Sequence, residues 1–266
     1  MKSALKRLPL IILGVPALYF LLLKGQPSFI ILALLTITLF AQTELNNMLS
    51  KSEGGSLPYF EMISAAVYLT SLHFWELGAV LAIFPALIAA GAFAAVFKGL
   101  QPDSTEKFKN YVFSLVYLPL CLGYYYLIFS EYTGGWVFII LASVWCLDIG
   151  AYITGSLLKG PKLAPSISPG KTISGAIGGA VCSGLFLFLA NKYSLCGFTL
   201  SPKQLTALIL IITTTAQAAD LFESVLKRTS GVKDSGDLFG AHGGVLDRID
   251  SLIFTAPLAY AVFLLL

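Results

Sequence analysis

The sequence predicts an all-α, polytopic integral membrane protein, and three observations carry that prediction. Of 266 residues, 57% are hydrophobic and 12% charged, with a mean hydropathy of +0.83; the charged share is about half that of an ordinary soluble domain. Apolar runs of about 20 residues, enough to cross the hydrocarbon core, recur at about 8–24, 27–43, 58–75, 78–97, 111–130, 134–155, 173–191, 204–226 and 246–266, which makes about nine transmembrane helices. Of the 17 lysines and arginines, all but Lys24, Lys192 and Lys203 fall on the N-terminal side of nine alternating spans. Short cytoplasmic loops retain positive charge, so the N-terminus is expected in the cytoplasm and the C-terminus outside.

The first span follows Lys2, Lys6 and Arg7 with "PLIILGVPALYFLLL". That is the basic-then-apolar layout of a signal peptide, but only "KGQPSF" follows, with no small-x-small cleavage site, so a retained helix is expected. The second and third spans have Glu44 and Glu61 near or inside them. These two acids and Glu131 are expected at the surface or the interface. Phe74, Trp75, Tyr132 and Trp136 suit interfacial positions, and His73 falls in a short outer turn. The first five spans are hydrophobic nearly all round, as lipid-facing helices are. Composition shifts after residue 145: ionisable groups enter the spans, and "GAIGGAVCSG" offers the small residues of close helix packing. The chain therefore divides into an N-terminal scaffold, 1–144, and a C-terminal catalytic region, 145–266, within one continuous membrane unit. Its longest loops are about 44–57, 98–110, 156–172 and 227–245. Cys121, Cys146, Cys182 and Cys196 have no C-x-x-C spacing, so neither a disulfide framework nor a zinc site is indicated.

An acid near mid-membrane costs at least about 2.5 kcal/mol on insertion scales and needs a compensating role. Asp148, in "WCLDIGAYITGS", shares a helical face with Ala151, Tyr152 and Gly155. In "AADLFESVLKR", helical spacing lines up Asp220, Glu223, Ser224 and Lys227; in "LDRIDS", Asp247 and Asp250 share a face. One cytoplasmic loop joins these two spans, so their acids converge. That loop and its flanks supply Lys227, Arg228, Lys233, Arg248 and His242, with glycines at 231, 236, 240, 243 and 244. Cations on a permissive backbone can approach phosphate oxygens closely. The preceding cytoplasmic loop, "KGPKLAPSISPGKT", adds Lys159, Lys162, Lys171, Ser168 and Thr172. Its "SPGKT" lacks the strand and the first glycine of a phosphate-binding P-loop. Carboxylates beside cations and glycines suit a polyphosphate held through a hard metal ion, and Mg²⁺ binds through one or two carboxylates plus substrate phosphates. Interfacial anchoring explains many of these residues singly. A structural carboxylate pair explains Asp148, and a loop hydrogen bond explains His242. None of these explains the glycines together with the Asp pair beyond the loop.

The stretch "SVLKRTSGVKDSGDLFGAHGGVLDRID" resembles the signature of the phosphatidate cytidylyltransferases, the CDP-diacylglycerol synthases of the bacterial inner membrane. The resemblance rests on Ser224, Lys227, Arg228, Lys233, Asp234, Gly236, His242, Gly243, Gly244, Asp247, Arg248 and Asp250, and "DIGAYITGSLLKGPKLAPSISPGKT" extends it over most of 145–253. Two places depart from the family: Ile173, Ser174 and Gly175 stand where an aromatic, Glu and Gly often follow Lys-Thr, and Ala219 stands where Gly is common. The resemblance implies the reaction of CTP with phosphatidic acid to give CDP-diacylglycerol and pyrophosphate. It implies dependence on Mg²⁺, with room for a second, monovalent cation. CTP, phosphatidic acid and membrane lipid are the expected partners, with no nucleic acid, and a homodimer is compatible with the scaffold surface. The expected location is the bacterial inner membrane, multi-pass, with the active site cytoplasmic.

Spacing and resemblance together assign Asp220 and Asp247 to the metal, with Asp148 and Asp250 supporting it. Lys227, Arg228, Lys233 and Arg248 hold phosphates, and Asp234 and His242 complete the catalytic set. Ser168, Lys171, Thr172, Ser224, Gly243 and Gly244 are expected to bind substrate. Two competing readings make different predictions. A cation- or proton-coupled transporter predicts polar groups at the midplane of several helices, whereas a CTP-using lipid kinase predicts release of CDP rather than pyrophosphate.

Overall fold

A computed structural model describes residues 2–51, 57–75, 77–97, 103–195, 197, 199–240 and 243–265. Helices stand at each of the predicted places. The first four are α1 (Lys2–Lys24), α2 (Pro27–Lys51), α3 (Pro58–Phe74) and α4 (Leu77–Phe97). Next, α5 (Ser104–Leu115) runs through a π turn at Val116–Leu120 into α6 (Cys121–Glu131), and α7 (Gly134–Leu158) follows. Two short strands, β1 (Lys162–Ala164) and β2 (Ser168–Thr172), precede α8 (Ile173–Lys192) and α9 (Pro202–Thr229). The chain closes with α10 (Leu246–Ile253) and α11 (Thr255–Leu265). Among the described residues, six helical stretches are long and apolar enough to cross a membrane: Pro27–Ser50, Ser104–Glu131, Gly134–Leu158, Ile173–Lys192, Pro202–Thr229 and Leu246–Leu265. Leu13–Lys24 and Val80–Val96 are shorter apolar stretches.

Prolines punctuate these helices for one reason, the missing N–H. Pro27, Pro58 and Pro202 open helices, where the first N–H groups have no partner within the helix anyway. Pro119 lies inside the π turn, where an extra residue per turn accommodates the lost hydrogen bond. Pro257 cannot donate to the Ile253 carbonyl, and the predicted ninth span breaks nearby into α10 and α11. α9 starts with a capping box: Gln204 N–H donates to Ser201 Oγ (3.3 Å), and Ser201 N–H donates to Gln204 Oε1 (3.0 Å).

The predicted loop 156–172 is not irregular throughout. β1 and β2 form an antiparallel hairpin, with Lys162 opposite Thr172. The "SPGKT" segment is thus a strand entering a helix, and Thr172 caps α8 by accepting a hydrogen bond from Gly175 N–H (3.1 Å). Pro165 occupies the place of the first P-loop glycine.

The expectation of a lipid-facing scaffold is corrected at its fifth span, while α2, α3 and α4 keep large exposed apolar side chains such as Phe40, Ile63 and Phe93. In the span Ser104–Glu131, 67% of the apolar window is buried inside the protein, against 28% for α8. Tyr117, Leu118, Leu122 and Ile128 of this central helix join the same core as Leu45 of α2, Leu69 of α3 and Ala256 of α11. Glu44 and Glu61, expected at the surface, are 7% and 2% exposed. Hydrogen bonding explains why each acid is tolerated inside. Glu61 accepts from Leu57 N–H (2.9 Å), Gln42 Nε2 (3.2 Å) and the Ser114 hydroxyl (3.3 Å). Glu131 is exposed as expected and accepts from the Tyr260 hydroxyl (2.7 Å). His73 pairs with the Tyr126 hydroxyl (2.6 Å).

α7 and α8 pack backbone to backbone through the glycine-rich stretch. A Cβ added at Gly150 would lie 2.6 Å from the Cys182 Cβ, and one at Gly179 would lie 2.6 Å from the Leu147 carbonyl oxygen. Only small residues permit such an approach. Its consequence is a fixed platform for the hairpin that connects the two helices.

Candidate active site

The C-terminal turn of α9 and the first turn of α10 meet across Lys227. Its ammonium pairs with the Glu223 carboxylate on the same helix and with Asp247 Oδ1 at 2.7 Å. Glu223 is fully buried, so Lys227 compensates a charge that has no access to water. The other Asp247 oxygen, Oδ2, accepts from Ser235 N–H (2.9 Å), the Ser235 hydroxyl (2.8 Å) and Gly244 N–H (2.8 Å). The loop between the two helices thus wraps around one carboxylate.

Its glycines follow from that wrapping. Gly243 has φ +77°, a left-handed backbone, and any Cβ there would strike the Asp247 carboxylate. A Cβ on Gly244 would strike a second carboxylate, that of Glu44. Glu44 comes from α2 and accepts from Val245 N–H (2.8 Å), Leu246 N–H (2.8 Å) and the Ser235 hydroxyl (2.9 Å).

A cavity of about 560 Å³ is walled by α7, the hairpin, the start of α8, and α9, where Asp220 lies two helical turns before Lys227. Asp148, Lys171, Thr172, Gln217 and Asp220 supply its polar groups, while Leu147, Ala151, Tyr152 and Leu163 supply an apolar side. Lys171 Nζ lies 2.5 Å from Asp220 Oδ2. Asp148 is exposed to the cavity, and its carboxylate is close enough to Asp220 to repel it. Asp250 interacts electrostatically with Asp220, Asp148 and Lys227, which links the cavity to the loop. It also accepts from Ser251 N–H at 2.6 Å. More carboxylates than ammonium groups face this space, an arrangement that suits a bound cation. Among the described residues, no three His, Cys, Asp or Glu side chains form a ready-made metal cage. An ion there would take phosphate and water oxygens as well, which is how Mg²⁺ is usually held.

The remaining predicted residues are distributed around these two centres. Ser168 is half-buried in β2, and Thr172 is spent partly on capping α8. Arg228 reaches toward the Ile167 carbonyl (3.5 Å) and the Val232 carbonyl (3.4 Å), tying the hairpin turn to the loop. Lys233, Asp234 and Arg248 are exposed. Ser224 is half-buried, one helical turn beyond Asp220. His242 lies outside the described residues. Ser174, where the family often has an acid, donates its hydroxyl to the Lys159 carbonyl.

Sequence reasoning missed Gln217, Ser235 and Glu44. Gln217 precedes Asp220 by three residues, so helical spacing alone puts it on the cavity face. Ser235 lies inside the signature, between Asp234 and Gly236. Glu44 is 191 residues upstream of Ser235; its one available signal was an acid inside an apolar run.

Comparison with known proteins bears on the family. Residues 5–266 match the cytidylyltransferase family. The phosphatidate cytidylyltransferase of Rickettsia felis is 38% identical over 156 residues, covering 57% of this chain and 69% of the relative. That of Thermotoga maritima is 34% identical over 173 residues, covering 62% and 63%. That of Brucella melitensis is 48% identical over 124 residues, covering 46% and 44%. The matched stretches thus span between 44% and 69% of these relatives' own length. With a match that runs nearly from end to end, the chain belongs to the cytidylyltransferase family.

Proposed function

We propose that this protein is a phosphatidate cytidylyltransferase, transferring CMP from CTP to phosphatidic acid to give CDP-diacylglycerol and pyrophosphate in phospholipid synthesis. The observation that carries the reading is the pairing of an acid-and-lysine cavity with a glycine loop dense in cations, both at the same end of the helices. A transporter would place its polar groups at the midplane of several helices. Here they gather at the junction of α9, α10 and the hairpin.

In the reaction, an oxygen of the lipid phosphate forms a bond to the α-phosphorus of CTP. The bond from that phosphorus to the bridging oxygen of the β-phosphate breaks, and pyrophosphate leaves with the electron pair. Both reactants are anions, so the chain's task is to bring them together against repulsion. Lys171, at the cavity edge, and Arg228, Lys233 and Arg248, around the loop, supply the positive charge, while Lys227, already paired with Glu223 and Asp247, holds the loop to α9. Asp220 from the cavity wall is the carboxylate placed to hold Mg²⁺, with Asp148 and Asp250 beside it; Asp247, assigned to the metal with it, would join only by giving up the pairing of its Oδ1 with Lys227. When bound, Mg²⁺ neutralises charge on the transferring and leaving phosphates. No residue need form a covalent intermediate. The apolar cavity side, with Tyr152 and Leu163, is suited to the lipid end of phosphatidic acid.

The same reading places the protein in the bacterial inner membrane with about nine spans, the N-terminus and the site facing the cytoplasm. Lys107, Lys109, Lys159, Lys162 and Lys171 then share the cytoplasmic side with the glycine loop.

Purified protein in detergent, given labelled CTP and phosphatidic acid with and without Mg²⁺, tests the proposal. The expected result is Mg²⁺-dependent CDP-diacylglycerol with equimolar pyrophosphate. Release of CDP with phosphorylation of a lipid alcohol would make the protein a kinase.

A further inference from the structure

α10 begins without a capping side chain of its own. Its N-cap is Val245, which offers no side-chain acceptor, and a helix start leaves several N–H groups without partners within the helix. Glu44 fills that place from α2. One of its oxygens accepts from Val245 N–H and the other from Leu246 N–H, each at 2.8 Å. At 7% exposure, the carboxylate has little water to fall back on, so these hydrogen bonds are what makes its burial tolerable.

The same carboxylate meets the Ser235 hydroxyl at 2.9 Å, and that hydroxyl lies 2.8 Å from Asp247 Oδ2. One hydroxyl hydrogen serves one carboxylate at a time, so Ser235 is held in position between the two. Gly236 and Gly244 have no room for a Cβ against Glu44. The loop is therefore moulded on Glu44 from both ends, at Ser235–Gly236 and at Gly244–Leu246, and these segments carry the donors that orient Asp247 toward Lys227.

We propose that Glu44 is a positioning residue for the reaction. As the anchor on which the glycine loop is shaped, it acts through Ser235 and the start of α10 to hold Asp247 and Lys227 in register. The role rests on the proposed cytidylyl transfer, and it gives the N-terminal half a direct part in a site otherwise built from residues beyond 145.

Glu44→Gln tests it with little change in volume. An amide offers one acceptor oxygen, so at least one of the three donors now faces an NH₂ group. The expected result is a fall in kcat of about tenfold or more, the scale of a small misplacement of reacting groups, with KM for CTP changed much less. Amide hydrogen exchange at Gly244, Val245 and Leu246 should quicken, while exchange in α7 and α8 stays as in the wild type. A kcat within about twofold of wild type, or unchanged exchange at these amides, would overturn the proposal. If Glu44→Gln does not fold, Ser235→Ala takes its place, since it removes only the bridging hydroxyl. A wild-type kcat in Ser235→Ala would equally overturn the proposal, and a tenfold loss would support it. Wild-type protein that is folded but inert toward CTP and phosphatidic acid would instead sink the proposed function, and the exchange comparison would still decide whether Glu44 shapes the loop.

Discussion

Asp220 and Asp247 belong to neighbouring helices and to the same predicted metal pair, yet their surroundings are opposite. Asp220 lines an open cavity, faces Lys171 and lies near two further carboxylates, Asp148 and Asp250. Asp247 is enclosed, with three donors on one oxygen and Lys227 on the other. The contrast separates two jobs that the sequence runs together. A carboxylate surrounded by protein donors builds local structure, whereas one facing a cavity among like charges is poised to take a ligand. In the first case the folded protein already supplies the compensating charge; in the second it leaves a deficit of positive charge that, on the proposed function, a metal-bound nucleotide would fill.

That contrast can be broken by substitution. The largest combined effect is expected for Asp247→Asn, which weakens the ion pair and the hydrogen bonds of the loop together. Breaking one partner of a buried pair costs about 3–5 kcal/mol, so thermal melting in detergent should show clear destabilisation along with lost turnover. A variant that melts like wild type would mean that the loop does not depend on Asp247. Lys171→Met should lower kcat/KM for CTP by about tenfold to a hundredfold, the scale of one hydrogen bond to a charged group, with melting little changed. Equal kcat/KM would remove Lys171 from nucleotide binding. Gly244→Ala drives a Cβ into the Glu44 carboxylate, an overpacking expected to cost about 1–3 kcal/mol. Its melting temperature should fall while the Asp220 cavity stays intact. Glu61→Gln is expected to do least. It lies in a separate hydrogen-bonded cluster with Gln42 and Ser114, so turnover should stay within about twofold of wild type. A large loss there would mean that this cluster and the site are coupled.

How much could be read from the sequence follows the same division. The helices were legible because apolar runs report membrane spans directly, and Pro119 and Pro257 altered them only locally, into a π turn and a break. The convergence of Lys227 and Asp247 was legible because a single loop joins the end of one helix to the start of the next. Asp148 and Asp220 announced themselves as acids inside apolar runs. Glu44 and Glu61 carried the same signal, but their partners lie far along the chain or on other helices, and nothing local distinguishes a buried acid from an interfacial one. The hairpin was hidden because "KLAPSISPGKT" contains two prolines and no alternating apolar pattern. Its strands are short, and the Thr172 cap that ends them reads equally well as part of a loop. The burial of the central span Ser104–Glu131 was hidden for a related reason. A helix apolar all round looks the same whether lipid or protein surrounds it.

The most direct test is turnover and thermal melting of Asp220→Asn, compared with wild type in the same detergent. If the cavity carboxylate is the reactive centre's ligand rather than a structural element, kcat should fall by about 10²–10³ or more, the scale of one lost electrostatic stabiliser. The melting temperature should change little, since the substitution relieves repulsion from Asp148 and Asp250 while giving up only a part-exposed ion pair with Lys171. Near-normal turnover, or a loss of turnover that only follows unfolding, would contradict the placement of the reaction in this cavity.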